Sequence, residues 1–167
     1  MLVALSVLLP ALASAQGRPV APRDEAPCTP EGSALCTGQA LLATLAQLDR
    51  RLDRRHATLR TLVRGDTTAA GRDVRIEWAV DTLHATWRRL RRDDCELHGA
   101  LTRAGGSWPS TWALDCEVAA TRARLATVDA AIRCIERLPI ARREFERFEC
   151  LTRLRLLARD TRGAGPG

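Results

Sequence analysis

The sequence predicts an all-α protein: three to four antiparallel helices in a bundle, with a disulfide-stapled helical hairpin at its centre. Three observations predict it. Leucine and other apolar residues recur at three- and four-residue spacing over long stretches, the period of an amphipathic helix. Breakers cluster at Gly65–Gly71, Ala104–Pro109 and Leu138-Pro139, which leaves long helices joined by short connections. Runs of alternating β-branched residues are missing and Tyr is absent, so no strand is expected.

Taken in order, residues 1–15 have the pattern of a signal peptide. Leu2 to Leu12 is almost wholly apolar, and Ala13-Ser14-Ala15 before Gln16 is a small-x-small cleavage signal. The apolar run is shorter than the roughly 20 residues a membrane span needs, so no transmembrane segment is expected in the mature chain. Residues 16–37 form an arm rich in Pro, Arg and Ala that is expected to be flexible and that carries Cys28 and Cys36. Residues 38–160 are the helical domain, and residues 161–167 a disordered tail.

The first helix starts near Gly38, with Leu41, Leu45, Leu48, Leu52, Leu59 and Leu62 on one stripe and Arg55 in its one polar slot. The second, Arg72 to Arg103, is striped by Ile76, Val80, Leu83, Trp87, Leu90, Leu97 and Leu101, with Asp94 in the remaining slot. The third, Thr111 to Arg137, carries Leu114, Val118, Leu125, Val128, Ile132 and Ile135, with Thr121 in a slot. Pro139 ends it, because proline lacks the amide donor and clashes with the preceding turn. A fourth helix, Ile140 to Arg159, carries Phe145, Phe148, Leu151 and Leu154. Buried charge is costly unless paired, so Arg55 and Asp94 are expected to pair in the core. The similar stripes also fit a coiled-coil hairpin that buries its faces in a dimer.

Six cysteines in a small chain with an export signal suggest a disulfide framework, with fifteen possible pairings. Cys95 and Cys116 lie ten residues either side of Gly105-Gly106, which brings them to the same height on facing helices. That pair is preferred, then Cys28–Cys36, with Cys134–Cys150 by elimination. Net charge is +6, and all 26 basic residues are Arg. Such a balance suits anionic envelope polymer or lipid, and export makes nucleic acid the least expected partner.

Catalytic chemistry finds little support, and the chain reads as a non-enzyme without cofactor. His56, His84 and His98 sit on predicted helices with no nucleophile motif beside them, and read as surface residues. Cys95, His98 and Cys116 approach a zinc set, but no C-x-x-C is present and oxidation would join the two sulfurs, so no metal is expected. The paired carboxylates Asp93-Asp94, Asp49/Asp53 and Glu144/Glu149 lie among arginines and read as surface ion pairs. The turn Gly105-Gly106-Ser107-Trp108 is the best recognition tip: glycine allows close backbone approach, and an exposed Trp is a common binding anchor. The competing reading folds Trp108 back as a lid on the end of the bundle. Arg91 and Arg103 are lesser binding candidates.

Trp87, Arg91, Cys95, Gly105-Gly106-Ser107, Cys116, Thr121 and Arg124 stand in an order and spacing that resembles the lysozyme-inhibitor LprI-like family of small exported bacterial proteins. Upstream, Cys28, Cys36 and Leu45-x-x-Leu48-Asp49-x-x-Leu52 match the same pattern, so the resemblance covers about Cys28 to Val128. His56 replaces the usual Tyr, and Leu90 the aromatic before Arg91. Cys134, Cys150 and the fourth helix lie beyond the pattern. The resemblance implies a periplasmic or extracellular helical domain that binds a lysozyme rather than catalysing a reaction.

Overall fold

The computed structural model describes residue 28, residues 32–64 and residues 74–156. The predicted signal peptide, most of the arm, the connection 65–73 and the tail lie outside the described residues. Four helices follow one another: α1 (Ala34–Arg64), α2 (Val74–Leu101), α3 (Trp108–Arg137) and α4 (Ile140–Leu151), closed by a 3-10 turn at Thr152–Leu154. No strand occurs among the described residues. Consecutive helices run antiparallel, so α1 and α3 run parallel.

α3 is the centre. Both α1 and α2 pack along it, and α4 with its turn covers its C-terminal part. The core is the meeting of the helix stripes: Leu52 and Leu59 from α1, joined by Val63, which the predicted stripe did not include, then Val80 and Trp87 from α2, and Leu125, Val128, Ile132 and Ile135 from α3. Burial of each such side chain contributes about 1.5–3 kcal/mol. Ala131, fully buried among them, lets the neighbouring helices approach α3 closely.

α1 begins four residues before Gly38, inside the expected arm, and the reason is a cap. The Ser33 hydroxyl accepts a hydrogen bond from the Cys36 amide at 3.2 Å, satisfying a donor that a helix start leaves free. Cys36 therefore lies on the helix, and Gly38 is buried beside Thr111 and Leu114. α3 likewise starts at Trp108 rather than Thr111, with Pro109 in the first turn, where its missing N–H costs nothing. α4 stops at Leu151, short of the Arg159 expected.

The larger correction concerns the second half of α2. Ile76, Val80, Leu83 and Trp87 join or pack against the core as expected. Beyond Trp87 the inward face passes to Arg91, Cys95 and Gly99, a strict four-residue step. Leu90, Leu97 and Leu101 are 52%, 58% and 70% exposed, and Asp94 is exposed with them. Asp94 therefore makes no core pair with Arg55. Arg55 instead holds Asp129 of α3 at the edge of the α1–α3 contact.

All three disulfides take the expected pairing: Cys28–Cys36, Cys95–Cys116 and Cys134–Cys150, with Cα separations of 5.4, 5.4 and 5.6 Å. The second joins α2 to α3 and the third joins α3 to α4.

Candidate functional site

The α2–α3 hairpin has a buried end and an exposed end, and the candidate residues divide between them. At the exposed end Arg103, Gly105, Gly106, Ser107 and Trp108 all face solvent. The turn reverses through two left-handed residues, Gly106 (φ 63°) and Arg103 (φ 53°). Glycine adopts this region freely, whereas an arginine there is uncommon and costs roughly 1–2 kcal/mol. Two contacts fix the helices beneath the turn. One is the Cys95–Cys116 staple. The other is Gly99, where an added Cβ would lie 2.3 Å from the Pro109 carbonyl oxygen and 3.2 Å from the Ala113 amide nitrogen. Only a residue without a side chain lets α2 and α3 approach this closely.

Trp108 keeps an exposed face. It is 38% exposed, and its ring lies 6.2 Å from that of Trp112, itself 43% exposed. Trp112 gives no sign of exposure in the sequence, because it falls inside a helix. Its i+4 spacing from Trp108 was the available signal. The tip is therefore a pair of tilted indoles on the first turns of α3, beside a glycine turn.

At the buried end, Arg91 is turned into the bundle rather than open to a partner. It is 8% exposed, and its charge is consumed internally. Its Nη1 donates to Asp49 Oδ1 of α1 at 2.7 Å and to the Thr121 hydroxyl of α3 at 2.7 Å, while Nε lies 2.9 Å from Glu117 Oε2. The guanidinium also lies over the Trp87 ring at 5.2 Å, and Arg124 lies over the same ring at 5.7 Å. Arg124 in turn donates to the Leu154 carbonyl at 2.8 Å, and burial lowers its pKa. Asp49, Trp87, Arg91, Thr121 and Arg124 thus form one polar knot where α1, α2, α3 and the 3-10 turn meet. In the fold these residues hold the helices together.

Between α1 and α2 lies a polar seam. Arg64 pairs with Glu77, Arg60 with Asp81, and Arg88 with Asp53 and Asp49. His56 and His84 meet within it, so these two histidines are not the isolated surface residues expected. His98 is exposed. Among the described residues no three of His, Cys, Asp and Glu are arranged to hold a metal ion, and no helix is long and apolar enough to cross a membrane.

No family model, curated protein or solved structure matches the chain.

Proposed function

We propose that this is an exported, non-enzymatic binding protein of the LprI-like kind, which blocks a lysozyme by presenting the Gly105–Trp108 turn to its cleft. The observation that supports this reading is the exposed indole pair on a turn whose supporting helices are fixed by a disulfide and a glycine contact. A preorganised tip loses little conformational freedom on binding, so more of its contact energy appears as affinity. Trp108 is the anchor, Trp112 extends it, and the exposed Ser107 and Arg103 would meet the carboxylates of a glycosidase cleft. Animal lysozymes are typically basic, and the chain carries +6, so long-range steering is repulsive and association is faster at higher salt.

A turbidity assay of cell-wall lysis, run with the oxidised protein against several lysozyme types, tests the reading. Inhibition that is lost in Trp108→Ala while the melting temperature holds supports it. Full lysis by every type at micromolar excess of protein refutes it.

A second reading rests on the exposed Arg50, Arg51 and Arg54 of α1. They would bind anionic envelope polymer, and retention on such polymer would then vanish at moderate salt.

A further inference from the structure

Among the described residues, α1 is the one helix with no disulfide to another helix. Cys28–Cys36 closes a loop at its own N-terminus, while the other two staples join α2, α3 and α4 into a single linked unit. Against α3, α1 is held by the core. Against α2 it is held by the polar seam, and the middle of that seam is occupied by two imidazoles. The rings of His56 and His84 stack with centroids 4.1 Å apart and planes inclined by 19°. Their side chains are 14% and 12% exposed.

The charges around the pair come from three helices. From α1, Asp53 and Arg60 face it; from α2, Asp81 and Arg88 do. His56 Nε2 lies 3.5 Å from Asp81 and His84 Nε2 lies 3.5 Å from Asp53. Each carboxylate is already engaged, Asp81 by Arg60 at 3.0 Å and Asp53 by Arg88 at 3.4 Å. On the α3 side, Arg124 lies over Trp87, whose ring is 6.4 Å from that of His84, and Asp129 is taken by Arg55. His84 Nδ1 is buried with no hydrogen-bond partner among the described residues. A proton added to this pair therefore meets a second imidazole at stacking distance and carboxylates already shared with arginines.

We infer that the stacked His56–His84 pair is an acid-sensitive latch: neutral, it seals the face of α1 against α2, and its protonation loosens that seam while the core contact of α1 with α3 and the stapled α2–α3–α4 unit stay in place. Burial lowers both imidazoles below their ordinary range. His84 is held down to about 4, first by burial, then by His56 and Arg88. The latch is shut at neutral pH and yields progressively as pH falls below 6.5 towards 4.

Hydrogen exchange of the full oxidised chain at pH 7 and pH 5, corrected for intrinsic rates, tests this. Residues 49–64 of α1 are expected to lose protection by about ten-fold or more at pH 5, with α3 unchanged. The His56→Gln/His84→Gln variant is expected to show no such extra loss. Equal loss in α1 and α3, or the same loss in the double variant, overturns the latch. NMR titration of the imidazole protons in the wild-type chain gives a test that does not depend on the variant folding. Both histidines must titrate below the ordinary imidazole value of 6.5 and in separate steps. Titration of either at 6.5 or above also overturns it.

Discussion

Replacing Arg91 by Met removes the charge at the centre of the polar knot but keeps an unbranched side chain against Trp87. Arg91 gives hydrogen bonds to Asp49 and Thr121 and an ion pair to Glu117, with its side chain 7% exposed. Removing one member of a buried ionic group typically costs about 3–5 kcal/mol, mainly because the partner charges stay desolvated. Two features lower that figure here. Asp49 keeps Arg88 at 3.5 Å, and its side chain is 24% exposed, so water relieves part of the loss. A destabilisation of about 3 kcal/mol results, which for a domain of this size lowers the melting temperature by roughly 6–12 °C. Urea unfolding at pH 7 measures it, and a cycle with Asp49→Asn isolates the pair, with a coupling of at least about 1 kcal/mol expected. Arg91→Lys does not rescue, because an ammonium cannot reach three acceptors as a planar fork does. An Arg91→Met chain within about 0.5 kcal/mol of wild type, or strict additivity with Asp49→Asn, refutes the knot as a structural element.

Further predictions follow the same geometry. Gly99→Ala gains about 1 kcal/mol in helix propensity but drives a Cβ into the Pro109 carbonyl and the Ala113 backbone, so a net loss of about 1–3 kcal/mol is expected in thermal melts. Unchanged stability would mean the hairpin is not held by this approach. Replacing Cys95 and Cys116 together by Ala opens a loop with a sequence separation of 21 and lowers stability by about 3 kcal/mol by urea titration. Because the folded His84 sits at about 4 against an unfolded value near 6.5, its contribution is complete above pH 6.5 and is lost as pH falls towards 4. The loss is on the order of 3 kcal/mol. Comparing the pH dependence of unfolding in wild type and His84→Gln measures it, and superimposable curves would count against it. Trp108→Ala leaves the melting temperature within about 2 °C of wild type, since the ring lies outside the core.

Much of the fold was legible because breakers and periodicity agree. Gly105-Gly106 and Pro139 leave few alternatives to helices on either side, and the symmetric placement of Cys95 and Cys116 about the turn fixes the hairpin register. The second half of α2 was not legible. Counting apolar residues puts Leu90, Leu97 and Leu101 inward, whereas Arg91 turns in because its three acceptors lie on α1 and α3, far away in sequence. Gly99 was equally silent, since its value lies in the Pro109 carbonyl it approaches. The tip was visible as a glycine turn beside Trp108, and Trp112 was not, because a helical tryptophan looks like a core residue. His56 and His84 looked isolated for a related reason. Their stacking depends on how α1 and α2 align, which the Arg–carboxylate ladder between them records only once both helices are placed.

Each staple joins a cysteine to the next one along the chain: first to second, third to fourth, fifth to sixth. A chain with this connectivity has no threaded or interlocked loops. If it emerges N-terminus first into an oxidising compartment, every thiol meets its correct partner before a wrong one is available. The order of synthesis then supplies the pairing information that a crossed framework must recover by reshuffling, so the native set of bonds can form in sequence without passing through a scrambled intermediate.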